Sequence, residues 1–277
     1  MINPDTLTVV FTAGVPAPSR TLLWNVFFAS KGRGISLPVH FPWMDNNENV
    51  VCIGLYDAEP ENKQVIIATL IIKIISMADD RYIGLIGLVC VAEGWRGNGF
   101  SNRLMSEAIE HGKKINLDAL LLWTQLPEIY TRHGFISNVQ EMFGTAEQKC
   151  VNTCKVIYST DVWPDLLSTK KQQGLPPFAK TGKLIRSELA SIVVLETQNK
   201  GITLAKWQGK NSDVVDLLMS SLPNKWSFNV LESDGIIVEL LERNFEISLE
   251  PSAVCMVKEL KNSSILNYIA IEFLDRV

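Results

Sequence analysis

The sequence predicts an α/β (α+β) fold in two domains, and three observations carry that expectation. An apolar run from Ile83 to Val91 has the length and β-branched content of a buried strand. A glycine-punctuated loop follows and opens into an amphipathic helix, Phe100 to Lys114, with Phe100, Leu104, Ala108, Ile109 and Ile115 on one side. A second apolar strand, Asp118 to Thr124, comes next, and the same order of apolar segment, short connection and helix returns faintly in the C-terminal third.

Taken in order, Thr6 to Thr12 reads as a strand closed by Gly14, Pro16 and Pro18. Ser19 is placed to cap a helix reaching Ser30, with Leu22, Leu23, Val26 and Phe27 inward. Residues 31–49 carry Gly32, Gly34, Pro38 and Pro42 among aromatics and read as irregular. Val50 to Tyr56 and Val65 to Ser76 form a predicted hairpin across an acidic turn at 57–62. A short helix over Pro127 to His133 follows the second apolar strand, and Phe135 to Phe143 and Cys154 to Ser159 read as closing strands. Ser168 to Lys183 has the Lys, Gln, Gly and Pro content of a linker. The predicted organisation is therefore a first domain over 1–165, a linker over 166–183, and a second domain over 184–277.

The chemistry concentrates after the strand ending in Val89, Cys90 and Val91. The loop Arg96, Gly97, Asn98 and Gly99 leads into Phe100 and Ser101. Glycines let backbone N–H groups approach an anion, and a helix start adds unpaired donors and a positive dipole end, so these residues predict a phosphate site. A dinucleotide site of the Gly-x-Gly-x-x-Gly type does not fit, because Asn102 stands where the third glycine belongs. It also requires an acidic ribose ligand about 20 residues on, where this chain has Leu121, Leu122, Trp123 and Thr124.

Arg96, Gly99 and Ser101 here, followed by Tyr130, Gly134 and Phe135, resemble the two landmarks of the GNAT superfamily of acyl-CoA-dependent N-acetyltransferases. The phosphate-loop pattern Arg/Gln-x-x-Gly-x-Gly/Ala is met except at Ser101, and Tyr-x-x-x-Gly-Phe is met in full. The resemblance covers residues 50–145. It implies a mixed, mostly antiparallel sheet flanked by helices, with acetyl-CoA as co-substrate and no metal. It also implies an acetyl group moved to a primary amine of a small molecule, peptide or protein by direct attack in a ternary complex. Residues 96–101 would then hold the pyrophosphate, and Val89, Cys90 and Val91 the pantetheine arm, with the Val91 N–H aimed at the developing oxyanion.

Tyr130 becomes the expected general acid, since a phenol titrating near 10 keeps its proton where a thiol near 8.5 loses it. Relatives that place a base on the cofactor strand have no counterpart at Ile86 or Leu88; His40, Glu93, Glu128, His133 or a water relay remain open. His40, Phe41, Trp43 and Met44 either line the acceptor pocket or cover a sheet edge. The alternative function is a catalytically inactive acyl-CoA-binding or partner-binding module on the same fold.

The faint repeat sets Trp207, Gln208, Asn211 and Asp213 against Trp95, Arg96, Gly99 and Ser101, and Leu240 against Tyr130. A carboxylate at a helix start repels pyrophosphate. The C-terminal layout also resembles tandem members of the superfamily with an active N-terminal half and a cofactor-free second half, which implies a degenerate GNAT-like second domain; a plain α+β appendage is the alternative. Composition bounds the rest. With 47% hydrophobic and 20% charged residues and a net charge of −4, the chain reads as globular and lacks the basic excess of a nucleic-acid binder. Five cysteines without a dense framework point to reduced thiols, and Cys150 and Cys154 have no nearby histidines to complete a zinc site. The longest apolar run, Val65 to Ile75, is broken by Lys73 and too short to span a bilayer. No signal-peptide pattern opens the sequence, so a cytoplasmic, membrane-free protein is expected.

Overall fold

The computed structural model describes residues 7–46, 48–58, 64–77, 80–149, 155–162, 173–261, 271 and 273–277. These divide into two compact units. Unit 1 comprises Met1–Asn138, Cys255–Ala270 and Arg276–Val277; unit 2 comprises Val139–Val254 and Ile271–Asp275.

Unit 1 is built on an antiparallel run in which β1 (Leu7–Ala13) pairs with β2 (Val50–Ala58), β2 with β3 (Gln64–Ser76), and β3 with β4 (Tyr82–Val91). Ile67, Leu70, Ile71 and Ile72 on β3 are fully buried, as a near-continuous apolar strand covered on both faces requires. Helix α1 (Ala17–Phe27) and the one-turn α2 (Leu37–His40) precede β2; Leu23 of α1, Phe28 just past its end and Leu37 of α2 join Trp43, Met44, Cys52 and Ile71 in one core cluster. Between β4 and β5 (Ala119–Thr124) runs α3 (Phe100–Lys114), the crossover that lets β5 lie parallel to β4. The one-turn α4 (Glu128–Thr131) follows β5.

Unit 2 also joins an antiparallel run to a parallel strand through a helix. It takes most of β6 (Ile136–Gln148), then β7 (Ser159–Val162), β8 (Ala179–Arg186), β9 (Ser191–Thr197) and β10 (Ile202–Gln208), with β7 to β10 antiparallel neighbours. Helix α5 (Asn211–Ser221) crosses to β11 (Lys225–Leu231), which is parallel to β10, and α6 (Gly235–Glu242) leads into β12 (Phe245–Glu259). The core of this unit is Val214, Val215, Leu217 and Leu218 from α5, Phe228 from β11, and Ile236 and Leu240 from α6.

The closing strands are exchanged. β6 follows α4 in the chain but pairs in unit 2 with β11, from Lys225↔Glu147 to Leu231↔Glu141. β12 follows α6, and its last residues, Cys255–Glu259, belong to unit 1, where β12 neighbours β5. Just past it, the Leu260 N–H donates to the Asp118 carbonyl at 2.9 Å.

Several expectations are corrected. Ser19 is not a cap: α1 starts two residues earlier with Pro16 at its N-cap, and Ser19 is fully buried, its hydroxyl accepting from the Cys52 thiol at 3.3 Å. The closing strand expected at Cys154–Ser159 is not formed by residues 155–158; a strand begins only at Ser159. Residues 163–172 of the expected linker lie outside the described residues, but 179–183 are inside β8, paired with β9. The compact units divide within β6 and β12 instead of at 166–183, because β6 pairs with β11 of unit 2 while the end of β12 belongs to unit 1. Cys150 and Cys154 also lie outside the described residues; Cys52, Cys90 and Cys255 are buried and form no disulfide among the described residues. No described helix is long and apolar enough to cross a membrane.

Candidate active site

The site grows from the place where β4 leaves its neighbour. Parallel pairing of β4 with β5 is confined to Ile83↔Ala119, Gly84↔Leu120 and Leu85↔Leu121. Beyond Leu85 the two strands part. On the other side β4 bulges, with Leu88 and Val89 together opposing the single residue between Thr69 and Ile71. Leu88 adopts φ +51, a left-handed conformation that disfavours a side chain by about 1–2 kcal/mol and bends the strand. After the bulge the ladder to β3 resumes, and the Ala92 N–H donates to the Ile67 carbonyl at 2.7 Å. Alternation along a strand then turns the N–H and carbonyl of Val91 away from β3, toward the side where β5 is missing. The Val91 carbonyl accepts there from Arg96 Nε at 3.3 Å.

A short 3-10 turn, Glu93–Trp95, carries the chain from β4 to the glycine loop. Asn98 fixes the loop from within, its side-chain amide donating to the carbonyls of Trp95 and Arg96 at 3.0 and 3.1 Å. Gly97 and Gly99 both have positive φ, +81 and +76, and Gly99 is the residue from which α3 starts. A Cβ at either position would meet nothing within 4 Å, so open space faces both. Among the described residues, no protein acceptor meets the N–H groups of Gly97, Asn98, Gly99, Phe100 or Ser101. Five consecutive unsatisfied donors at an exposed helix start are what a pyrophosphate needs, and Phe100, buried beneath them, anchors the helix.

Tyr130 lies in α4. Gly134, at φ +78, ends that turn in the left-handed conformation, and Phe135 is fully buried with its ring edge-on to Tyr130 at 6.2 Å. The Tyr-x-x-x-Gly-Phe pattern is thus a short helix, a left-handed stop and an anchor. His133 Nε2 lies 3.3 Å from Asn102 Oδ1 in the first turn of α3, tying this turn to the helix that begins at the glycine loop. The Tyr130 phenol makes no hydrogen bond within the described residues, and burial pushes its pKa above the usual 10.0. It is a protonated, uncommitted donor at neutral pH.

The other candidates separate. His40 is 3% exposed; its Nε2 accepts from the Ile35 N–H at 2.8 Å and its ring stacks on Phe28 at 5.4 Å. Phe41, Trp43 and Met44 are buried in the unit 1 core, and the Lys73 ammonium lies 5.6 Å from the centre of the Trp43 ring. These four hold α2 and its neighbours against the sheet. Glu93 is exposed beside the glycine loop, and Glu128 is exposed in α4. His133 has its pKa lowered by burial and by the charges of Arg132 and Lys258. Cys90 is buried, and desolvation pushes its thiol up to about 12, so it packs as an apolar side chain. Among the described residues, no group of three His, Cys, Asp or Glu side chains is arranged to hold a metal.

Residues that sequence reasoning missed close on the parted strands from far away in the chain. A Cβ at Gly87 would lie 2.6 Å from Val277, and the Arg276 guanidinium sits 4.5 Å over the ring of Trp123, beyond the last β4–β5 pair. No local signal marks either contact.

Residues 20–135 match the Acetyltransferase (GNAT) family model. This segment carries the GNAT fold. Solved structures extend the likeness in fold beyond this segment. A GCN5-related N-acetyltransferase from Anabaena variabilis ATCC 29413 superposes with a TM-score of 0.62 at 12% identity, covering 92% of this chain and 73% of that one. A GCN5-related N-acetyltransferase from Kribbella flavida gives 0.59 at 12%, covering 93% and 72%. Eis1 from Mycobacterium abscessus gives 0.59 at 8%, covering 91% and 74%. At such identities the shared property is the fold. No curated protein matches the sequence at a significant level. The GNAT segment contains both landmarks, and the mixed sheet flanked by helices is the architecture the landmarks predict.

Proposed function

We propose that the protein is an N-acetyltransferase that moves the acetyl group of acetyl-CoA to a primary amine by direct attack in a ternary complex. The observation that carries this reading is the run of five unsatisfied N–H donors from Gly97 to Ser101, placed at the end of a strand that has lost its β5 partner. Acetyl-CoA would supply the activated acetyl thioester. The loop N–H groups and the start of α3 would bind its pyrophosphate, with no side chain in the way at Gly97 or Gly99. The backbone of Val89, Cys90 and Val91 would pair with the pantetheine arm, and the Val91 N–H would face the acetyl oxygen as charge develops on it. Tyr130 would deliver its proton to the leaving sulfur; its raised pKa keeps that proton available.

Unit 2 is read as a cofactor-free GNAT-like copy. Its strand and helix order supports this, and so does its missing loop: β10 ends at Gln208 and α5 starts at Asn211, where unit 1 has eight residues between Val91 and Phe100. Gly209 has no room to receive a phosphate, since a Cβ there would lie 2.7 Å from the Leu189 carbonyl. Leu240, at the position matched to Tyr130, is fully buried in the core.

The test is thiol release from acetyl-CoA across a panel of primary amines, run beside direct measurement of acetyl-CoA binding. Binding with amine-dependent release supports the enzyme. Binding with no release on any amine would favour the inactive acyl-CoA-binding module, and absence of binding would remove both.

A further inference from the structure

Unit 2 contains a cleft of about 850 Å³ that acetyl transfer does not use. One wall is the segment Val156–Ser159 leading into β7, another is the β8–β9 turn with Arg186, Glu188 and Leu189, and the third is the first two turns of α5 with Asp213 and Asp216. The walls are fixed to one another. The Val156 N–H donates to Ser220 Oγ of α5 at 3.1 Å, and Gly209, at φ +126, lets the β8–β9 turn close on the start of the same helix.

The lining has two parts. Ile157 is 94% exposed, Leu189 66% and Tyr158 43%, so three large apolar side chains open into one depression instead of joining the core. The charged residues are unevenly neutralised. Arg186 is paired with Asp161, and Asp216 with Arg243 at 2.5 Å. Asp213 and Glu188 have no cationic partner among the described residues. The cleft thus joins an exposed apolar rim to uncompensated negative charge. A carboxylate or phosphate ligand would meet repulsion there, and a neutral apolar one would leave both charges unmatched.

We propose that this cleft binds a small amphiphilic organic cation, with an aliphatic or aromatic body against Ile157, Tyr158 and Leu189 and an ammonium group held by Asp213 and Glu188. Exposed charge pairs contribute modestly, so the apolar contact gives most of the affinity and the carboxylates give the selectivity for a cation.

The experiment titrates the methyl-labelled full-length protein, without acetyl-CoA, with hexylamine, hexanol and hexanoate, and follows the Ile157 and Leu189 methyl resonances. Hexylamine is expected to shift both saturably and to bind at least fivefold more tightly than hexanoate. Glu188→Gln lies on a surface turn and leaves α5 intact; it should lower the preference for hexylamine, and Glu188→Gln with Asp213→Asn should bring hexylamine to the affinity of hexanol. No shift at Ile157 and Leu189 at millimolar hexylamine would overturn the proposal. So would equal binding of hexylamine and hexanoate, or a preference unchanged in the double variant. Amine binding in unit 1 would leave these two methyls unmoved, which keeps the result separate from the acetyl-transfer reading.

Discussion

At the scale of single residues, the glycine loop and Tyr130 make separable predictions. Gly99→Glu places a side chain on a left-handed residue at a cost of about 1–2 kcal/mol, and puts a carboxylate among the phosphate donors. The variant should melt lower and, more tellingly, lack the thermal stabilisation that acetyl-CoA is expected to give the wild type; a shift of normal size would remove the loop from the proposed phosphate site. Tyr130→Phe should keep acetyl-CoA affinity and lose about 10²-fold in turnover, the low end for a lost general acid. The sign of its pH dependence follows from burial. A raised pKa holds the phenol protonated, so rate that depends on it persists through neutrality and falls only above pH 10.0. That alkaline fall should be missing in Tyr130→Phe. Turnover equal to wild type would mean that water protonates the thiolate and that Tyr130 only packs against Phe135.

At the scale of elements, the ends of β4 and β5 are held by Asp118. Its carboxylate accepts from the Tyr82 N–H at 2.9 Å and from Lys261 Nζ at 3.0 Å. Burial alone would raise its pKa, but the Tyr82 N–H and Lys261 outweigh it and bring the value below 3.8. A depressed acid stabilises the fold above its unfolded pKa and loses that contribution as pH falls through the folded one. Asp118→Asn should therefore destabilise by about 1–2 kcal/mol at pH 7 and bring its melting temperature toward that of the wild type below pH 3.8. A parallel offset at every pH would show that the charge is irrelevant. Asp118 also shows what the sequence could and could not reveal. β4, α3 and β5 were readable because their apolar periods are local: α3 spans Phe100–Lys114 as its periodicity predicts. The loop was readable because only glycine takes φ of +76 to +81 without strain. The partner of Asp118 was not, since Lys261 is brought to it by pairing between distant segments. His40, Phe41 and Trp43 were ambiguous for another reason: an aromatic cluster looks the same in sequence whether it lines a pocket or fills a core. β8 was hidden because its Lys and Gly content reads as linker, while its pairing with β9 supplies what composition does not.

At the scale of the whole molecule, one acetyl-CoA per chain is the expected stoichiometry by calorimetry, bound in unit 1. The reason is geometric: two residues join β10 to α5, too few to form a cradle of free N–H groups, and the Asp213 carboxylate adds like charge. Two equivalents, with the second lost on a Gly209 substitution, would show a live second site. The same exchange of closing strands predicts that fragments 1–165 and 184–277 will not fold separately, because the first lacks Cys255–Glu259 and the second lacks Val139–Gln148. Circular dichroism of each alone and of the mixture checks this; a cooperative melt from either fragment alone would contradict it. The exchange also bears on how the protein is made. During synthesis β5 leaves the ribosome roughly 130 residues ahead of the strand segment that will cover it. At about 5–20 residues per second the edge of an apolar strand, Ala119–Thr124, stands uncovered for several seconds or longer in every nascent chain. Expression yield and chaperone dependence should accordingly respond to substitutions in β12 that leave the proposed acetyl-CoA site untouched.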